Sequence, residues 1–427
     1  MTVTLKLNNL IVRIVLVVAG LFVVLLTARF LFSHFLLRNI ADQRIVLSRE
    51  ALASAYIGQP NSPRILFRLA GVELEESATE PQRLSDAQSH ALKAAQLSPW
   101  DFKNWRLLGM AQDAGDNLEE ATRSMQIASR LAVNNSDANW MLANLLLRQN
   151  NQAESLKVFQ RATRASNDLL PAAMEVVWQA FNNDIDVLSS LVGGDVNAKL
   201  MLAQFLLEQT QADAAIKVFR GIEASAKLNS PEASSFISRL TLAERAGDAR
   251  QLWVEIVGGS VRGANSGGLM WNGSFEITSP KDFGHFDWLL KPSNYARIGF
   301  DRSIFKDGQK SLRLSFAGKD TTKLENEIQQ LVVLNPNRKY RLECFAKAGN
   351  LVTPEGPRIA LFGKTGMMAV SEPVSADTSD WQRLVIEFTT PPENVIARVA
   401  IVRIPRLEYE EPTRGTVWFD DFKLTEQ

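Results

Sequence analysis

The fold of this chain is decided by residues 102–169, which read FKNWRLLGMAQDAGDNLEEATRSMQIASRLAVNNSDANWMLANLLLRQNNQAESLKVFQRATRASNDL. Two segments of this stretch repeat each other 34 positions apart, with small and large residues in matching places. The matching pairs are Gly109 and Ala143, Ala121 and Ser155, Met125 and Phe159, and Ala128 and Ala162. This period is typical of a repeated helical hairpin, in which small residues let two antiparallel helices approach closely.

The pattern continues in both directions from this stretch. Upstream, Ala87, Ala91 and Ala94 stand 34 positions before Ala121, Met125 and Ala128. Downstream, the pattern returns 60 positions after Leu142, Ala143, Ser155 and Phe159, at Leu202, Ala203, Ala215 and Phe219. The longer separation predicts one short, irregular helix pair in between, at residues 171–181 and 184–192. A degenerate first pair is predicted at 63–77 and 87–97, and a last pair at 232–246 and 249–257, with Gly247-Asp248 between its helices.

A family resemblance rests on six residues of this stretch. Trp105, Leu108, Gly109, Ala121, Met125 and Ala128 stand where the tetratricopeptide repeat has Trp, Leu, Gly, Ala, a large apolar residue and Ala, so the segment resembles that repeat. The resemblance implies an α-solenoid with a concave surface that binds another protein. In the repeat register this surface carries Lys103, Arg106, Trp140, Asn144, Arg148, Gln204 and Glu208. A solvated helix face is the alternative for Arg106 and Arg148.

The first 40 residues contain a candidate membrane anchor. Residues 14–28 carry no charge, and the apolar character runs from residue 10 to residue 37. Since about 20 apolar residues cross a bilayer, we expect a single-pass transmembrane helix. A cleaved signal peptide is the alternative, although its apolar region would be shorter and followed by small residues. Flanking charges do not decide the orientation, because Lys6 and Arg13 stand on one side and Arg29, Arg38, Arg44 and Arg49 on the other.

Composition argues against several functional classes. Basic and acidic residues are equal at 47 each, so no charge excess favours nucleic acid. A single cysteine, Cys344, excludes an internal disulfide framework and a cysteine-cluster metal site. Only three histidines are present, and no Walker, dinucleotide-binding or zinc-protease motif occurs. We therefore expect no enzymatic activity and no required cofactor.

Residues 258–268 are rich in glycine and predict a linker, after which nothing looks helical. Residues 269–427 alternate apolar and polar positions in short runs, which predicts an antiparallel β-sandwich. A jelly roll is the expected topology. The predicted strands are 311–316, 327–333, 339–346, 358–362, 382–389, 397–404 and 416–424.

A second resemblance is carried by ordered short motifs in these last residues. They are Asn272-Gly273-Ser274-Phe275-Glu276, Gly308-Gln309-Lys310-Ser311-Leu312, Leu334-Asn335-Pro336-Asn337-Arg338-Lys339-Tyr340, Asp380-Trp381 and Val417-Trp418-Phe419-Asp420-Asp421-Phe422-Lys423-Leu424. Together they resemble carbohydrate-binding modules of the family four and nine type, which are galactose-binding-like jelly rolls.

The resemblance implies two kinds of site. A structural calcium ion would take Glu276 and Asp421 as ligands, and the alternative is that these carboxylates accept backbone hydrogen bonds. A sugar ring would stack on Trp288 or Tyr295, and the alternative is that aromatic residues such as Trp288 fill the core.

The predicted organisation is a multidomain α + β chain. It comprises a membrane anchor at residues 1–40, a tetratricopeptide-repeat-like α-solenoid at 41–257, a linker at 258–268 and a jelly-roll domain at 269–427. This combination resembles accessory proteins of bacterial exopolysaccharide or O-antigen assembly, which implies an inner-membrane scaffold with its domains in the periplasm, bound to a protein partner and contacting glycan. Two alternatives stay open: a purely structural assembly factor without glycan binding, and a membrane-tethered glycan hydrolase or esterase.

Overall fold

The computed structural model describes residues 10–41, 48–259, 268–376, 380–393 and 395–427. The chain divides into two compact units, which we call the N-terminal unit, Met1–Gly193, and the C-terminal unit, Gly194–Gln427. Most of the predicted linker falls on residues 260–267, which lie outside the described residues. The helix pairs predicted after residue 194 fall in the same compact unit as the sandwich. The predicted domain boundaries stay predictions.

The N-terminal unit begins with one long apolar helix, α1 (Leu10–Ala41). Its segment Val12–Phe32 has a mean hydropathy of 2.7 and is not buried by the rest of the protein. A helix of 21 residues spans roughly 31 Å, which matches the hydrocarbon layer of a bilayer. The helix is therefore long and apolar enough to cross a membrane.

The rest of the N-terminal unit consists of antiparallel helices. They are α2 (Arg49–Gly58), α3 (Pro63–Glu76), α4 (Arg83–Leu97), α5 (Phe102–Ala114), α6 (Leu118–Leu131), α7 (Ser136–Arg148), α8 (Gln152–Ala165), α9 (Leu170–Ala180) and α10 (Ile185–Val192). Pairs form between α3 and α4, α5 and α6, α7 and α8, and α9 and α10. The predicted row of helix pairs is confirmed for this unit, including the short pair α9 and α10.

Turn chemistry repeats with the same period as the helices. Asp101 caps the start of α5, and Asn135, 34 positions later, caps the start of α7 by accepting from the Ala138 amide at 2.8 Å. The turns inside the pairs place Asp116 and Asn150 at φ of 57° and 60°. Asp and Asn tolerate this left-handed conformation better than most residues, so the same residue types end the first helices of these two pairs.

Small residues set the distance between paired helices. A Cβ atom on Gly109 would lie 3.0 Å from the Met125 side chain and 3.2 Å from the Ala121 carbonyl oxygen, so α5 and α6 leave no room for one without a shift. In the next pair, the buried Ser155 hydroxyl donates to the Ala143 carbonyl at 2.7 Å. The residues that reveal the repeat in the sequence are therefore those at which the helices touch.

The C-terminal unit starts with five more helices. They are α11 (Val196–Glu208), α12 (Ala212–Arg220), α13 (Ala224–Leu228), α14 (Pro231–Leu242) and α15 (Ala246–Gly258). The predicted position of Gly247-Asp248 between the last two helices is wrong, because both residues lie in the first turn of α15. The turn is made instead by residues 243–245, where Glu244 takes a φ of 61°. A non-glycine residue thus makes the left-handed turn, and the glycine signal misplaced it.

Two antiparallel sheets of five strands follow. The strands are β1 (Leu289–Leu290), β2 (Ala296–Asp301), β3 (Ser311–Ala317), β4 (Ile328–Leu334), β5 (Lys339–Val352), β6 (Arg358–Gly363), β7 (Gly366–Val370), β8 (Gln382–Thr389), β9 (Val395–Val402) and β10 (Arg414–Glu426). One sheet has the order β1-β4-β9-β6-β7 and the other β2-β3-β10-β5-β8. The predicted antiparallel β-region and all seven of its strands are confirmed, while β1, β2 and β7 were not predicted.

The sandwich packs directly against the last helices of its own unit. Trp253 of α15 is fully buried, and its ring lies edge-on to Trp271 and Phe286, at centroid distances of 4.8 and 5.6 Å. Its indole N–H donates to the Phe283 carbonyl at 2.8 Å. Arg250 covers the same cluster with its guanidinium 5.5 Å from the Trp253 ring, and burial lowers the pKa of Arg250 to about 10. Helix α15 is therefore joined to the sandwich by a buried aromatic cluster.

Candidate binding surfaces

The predicted protein-binding residues of α5 and α7 lie on neighbouring helices and are tied to each other. The Arg106 guanidinium of α5 donates to the Asp137 carboxylate of α7 at 3.3 Å. Arg148 of α7 reaches back to pair with Asp113 of α5. The first helices of two successive pairs are thus joined by two ion pairs of opposite direction.

Trp140 and Asn144 lie between these two ion pairs on α7. The Trp140 ring is half-buried and meets Phe159 edge-on at a centroid distance of 5.3 Å. The Asn144 amide donates to the Trp140 carbonyl at 2.8 Å, and Lys103 on α5 is exposed. The structure therefore brings the five predicted residues of the N-terminal unit onto two adjoining helices, as a polar surface around one tryptophan.

The predicted residues of the C-terminal unit form a second pair of ties. The Gln204 amide of α11 donates to the Glu232 carbonyl of α14 at 3.2 Å, and Glu208 accepts from Arg239 of α14. In both units, first-helix side chains contact the first helix of the next pair. The partners Asp113, Asp137 and Arg239 were missed by sequence reasoning. Their signal is a complementary charge 31 or 35 positions away, which is three short of the 34-residue repeat length or one beyond it.

The predicted sugar-stacking residues are placed differently from each other. Trp288 is half-buried between Phe275 and Phe422, at centroid distances of 5.1 and 4.8 Å, and its indole N–H donates to the Asn272 carbonyl at 3.0 Å. It occupies the edge of the sandwich core, which is the packing alternative. Tyr295 is half-buried beside an open cleft of about 550 Å³ that is lined by Lys291, Ser293, Asn294 and Arg297, among others. Tyr295 itself is not among the residues that line this cleft, so the structure brings neither predicted aromatic ring into it.

The predicted calcium ligands hold backbone and side-chain donors in this structure. Glu276 Oε1 accepts from the Gln309 and Lys310 amides at 2.8 and 2.9 Å. Asp421 pairs with the Lys423 ammonium at 2.8 Å. This is the hydrogen-bonding alternative, and within the described residues no group of three acidic, histidine or cysteine side chains converges as a metal site would require. This donor set does not fit a calcium ion as it stands, and calcium stays a prediction.

Asp420, which sequence reasoning did not assign, is the buried carboxylate at this place. Its Oδ2 accepts from the Lys306 amide at 2.6 Å and the Asp307 amide at 3.0 Å, and Oδ1 accepts from its neighbour's amide at 2.7 Å. Burial raises the pKa of Asp420 to about 6, against the effect of these amide donors. Asp420 and Glu276 together fasten the loop at residues 306–310 from both ends.

One serine and histidine pair occurs where the helices meet the sandwich. The Ser238 hydroxyl of α14 and His285 Nε2 are 2.8 Å apart, while His285 Nδ1 is buried without a well-formed hydrogen bond. A hydrolytic triad requires a carboxylate at that second nitrogen, and the described residues do not supply it. Burial lowers the pKa of His285, with the nearby Ser234 backbone acting in the opposite direction. The pair serves as a contact between α14 and the loop before β1.

Comparisons with known proteins identify no family for this chain. No family model matches the chain, and no curated protein matches it. Among solved structures, MamA AMB-1 is 22% identical, with a TM-score of 0.24 over 27% of this chain and 61% of that one. A crystal structure of MamA is 13% identical over 45% of this chain and 88% of its own, with a TM-score of 0.28. PilF of Pseudomonas aeruginosa is 18% identical over 50% of this chain and 96% of its own, with a TM-score of 0.29.

MamA and PilF are tetratricopeptide-repeat proteins. The match to MamA AMB-1 covers 61% of that protein's chain, which is less than two thirds of its length. The architecture of the present chain rests on its own helix pairs and sheets.

Proposed function

We propose that this chain is a non-catalytic, membrane-anchored scaffold of bacterial cell-surface polysaccharide assembly or export. Its anchor is α1, its helix pairs bind a protein partner, and its sandwich contacts glycan on the periplasmic side of the inner membrane. The observation that carries the proposal is the polar surface that α5 and α7 share around Trp140. An anchor confines the protein to two dimensions, so that weak contacts with membrane-bound partners suffice.

The ion pairs on this surface favour exchange with a partner. The side chains of Arg106, Asp137, Arg148 and Asp113 are between 29% and 65% exposed. Pairs of this kind contribute about 0–1 kcal/mol to stability, so a partner's carboxylate or ammonium group can replace one member at little cost. Trp140 adds an aromatic centre of the kind that dominates binding energy in protein interfaces.

A charge swap separates binding from folding. In the double variant Arg148→Asp with Asp113→Arg, the ion pair is kept and its direction is reversed. We expect the thermal midpoint to stay close to that of the unchanged protein, while capture of the partner is lost. The partner is detected by a photo-crosslinking amino acid at Lys103, with Lys157 on α8 as the matched exposed control. Equal crosslinking at both positions, or full capture by the swapped variant, would refute binding on this surface.

The alternation of strands between sheets supports the jelly-roll part of the proposal. From β3 to β10, each strand except the hairpin partner β7 lies in the sheet opposite to the strand before it. The cleft beside Tyr295 supplies amide, hydroxyl and guanidinium groups for sugar hydroxyls. Because a fold does not by itself identify a ligand, the experiment tests binding at the cleft.

Glycan binding is measured with the full chain in lipid nanodiscs against bacterial surface oligosaccharides. We expect Arg297→Ala in the cleft and Tyr295→Ala beside it to weaken binding, and Arg302→Ala, another exposed arginine outside the cleft, to leave it unchanged. A fragment starting at residue 268 is unsuitable, because it would uncover Trp271, which is 1% exposed. Absence of binding to every oligosaccharide would favour a purely structural assembly factor. A reporter fused after Gln427 tests the periplasmic side.

The hydrolase alternative receives less support from the described residues. Glu410, in the acidic run before β10, is buried against Arg403 at 2.5 Å and is not free to act as an acid or base. Ser238 and His285 lack a carboxylate third member. Turnover of a glycan or glycan-ester substrate that is lost in Ser238→Ala would reverse this assignment.

A further inference from the structure

Large apolar side chains are exposed along one edge of the N-terminal unit. They are Ile57 (64% exposed), Leu97 (42%), Trp100 (85%) and Val133 (53%). Each lies at or next to a turn that joins α2 to α3, α4 to α5, or α6 to α7. Since the helices alternate in direction, these three turns lie on the same side of the row. We call these four residues the apolar edge.

The turns on the other side have a different character. They are residues 77–82, 115–117 and 149–151, and they consist mainly of Ser, Thr, Asn, Asp, Gln and Glu. In the described part of the N-terminal unit, no large apolar side chain is exposed at these turns. Arg49, at the start of α2, pairs with Glu76 at the end of α3 at 3.2 Å, which places the beginning of α2 on this polar side.

The length of α1 indicates which side faces the membrane. Beyond Phe32, where the apolar span ends, α1 continues through residues 33–41, or roughly 13 Å of helix. Helix α2 is about 15 Å long by the same rise per residue. The two helices are in contact, and seven residues separate them. Contacting helices joined by so short a connection are typically antiparallel neighbours. In that arrangement α2 runs back along the last part of α1, and its far end, where Ile57 is exposed, lies level with Phe32.

The chemistry of the edge suits the interface of a bilayer. Tryptophan is enriched at that depth because its ring is apolar and its N–H is polar. Arg64 and Arg130 are exposed near the same turns and take part in none of the ion pairs found among the described residues. Each basic residue near an anionic leaflet contributes about 1 kcal/mol to its attraction. Asp101, which caps α5 and is exposed next to Trp100 in the sequence, partly offsets them.

We propose that the apolar edge rests in the interfacial layer of the same bilayer that α1 crosses. The N-terminal unit is then held against the membrane at a fixed height by two separate contacts, the anchor and the edge. This proposal rests on the proposed membrane anchor. The surface that covers the apolar edge is lipid and not a protein. It explains why a tryptophan with 85% exposure stands in a turn whose other residues are polar or proline.

The full chain offers a clean labelling test. Its only cysteine, Cys344, is buried, so a cysteine introduced on the surface is the single reactive thiol. The test variants are Val133→Cys on the apolar edge and Ala153→Cys, an exposed residue in the first turn of α8 on the polar side. Each carries a nitroxide label in full-length protein in nanodiscs of phosphatidylethanolamine and phosphatidylglycerol. Collision with oxygen, which concentrates in lipid, is compared with collision with a water-soluble nickel chelate.

We expect the ratio of oxygen to nickel accessibility at position 133 to exceed that at position 153 several-fold. A label at Trp100→Cys should behave like the one at 133. An aqueous label at 133 in nanodisc-bound protein overturns the edge proposal and leaves the anchor intact. A label at 133 shielded from both reagents means that protein covers the edge, and a lipid-exposed label at 153 means that the opposite side faces the membrane; either result also overturns it. Protein that does not elute with the nanodiscs refutes the anchor itself.

Discussion

The helix pairs of the N-terminal unit and the sandwich of the C-terminal unit are stabilised over different distances along the chain. In the helix pairs, the Ser155 hydroxyl reaches a carbonyl 12 positions away, and Arg106 pairs 31 positions away. In the sandwich, the Lys306 amide binds Asp420 across 114 positions, and the Trp418 indole binds Asp301 across 117. Repeats that contact only their neighbours fail locally, whereas a sandwich closed by its last strand fails as a whole.

The largest expected loss of stability comes from removing the aromatic contact between α15 and the sandwich. Trp253→Ala removes a fully buried ring and should lower the free energy of unfolding by about 3–5 kcal/mol. Since the ring contacts Trp271 and Phe286, hydrogen exchange should rise in the sandwich and in α11–α15 together. Exchange mass spectrometry of the full chain measures this spread.

The matched control is Phe159→Ala, which removes an equally buried ring from α8. Its cost in free energy should be similar, but faster exchange should stay within α7, α8 and the adjoining pairs. Faster exchange throughout the N-terminal unit would show that the repeats unfold as one body, and the contrast between the two regions would be lost.

The next effect concerns the two adjacent carboxylates in the middle of β10, Asp420 and Asp421. Asp420→Asn removes one of two acceptor oxygens that hold part-buried backbone amides, and should cost about 1–3 kcal/mol in urea unfolding. Asp421→Asn breaks a partly exposed pair with Lys423 and should cost at most about 1 kcal/mol. Excess chelator should leave both midpoints unchanged; a calcium-dependent midpoint that Asp421→Asn abolishes would establish the predicted metal site instead.

A smaller change in stability is expected from the left-handed residue in the turns inside the helix pairs. Thr210, in the turn between α11 and α12, has a φ of 59°, where a β-branched residue is strained. Thr210→Asn should stabilise the protein by about 1 kcal/mol, since asparagine tolerates this conformation. The reciprocal variant, Asn150→Thr, should cost about the same, because Asn150 has a φ of 60° in the corresponding turn. Equal stability of both variants and the unchanged chain would mean that the turns relax.

The smallest effect is a pH dependence confined to the C-terminal unit. Because burial lowers the pKa of His285, the unfolded chain takes up a proton at a higher pH than the folded one. The contribution of His285 to stability is therefore lost as pH falls below about 6.5, the ordinary histidine value. Asp420, whose pKa is raised to about 6, acts in the opposite direction. His285→Gln should lose less stability than the unchanged chain between pH 7 and pH 5, and parallel curves would contradict the assignment.

Sequence pattern predicted the fold well where contacts are periodic. The 34-residue spacing located the helices from α4 to α8, and the 60-residue offset located α9 and α10. It failed at Gly247, because glycine signals a turn only when the left-handed conformation needs it, and Glu244 adopts that conformation instead. The strands were predicted by alternation, which is also local, but β2 was missed because it carries Gly299 and few core residues.

The candidate surfaces were predicted in part, because position follows from the repeat and partners do not. The 34-residue register placed Arg106 and Arg148 on adjoining first helices, α5 and α7. Their pairing with Asp137 and Asp113 depends on which charged side chains meet between these two helices. Trp288 shows the opposite limit. Its neighbours Phe275 and Phe422 lie 13 and 134 positions away, and only the closed sandwich reveals that they enclose its ring.

The cluster of Trp253, Trp271 and Phe286 also has a mechanical consequence. Because the cluster packs α15 directly against the sandwich, a force on one is transmitted to the other. Groups bound on α15 and on the sandwich would therefore keep a constant spacing from each other.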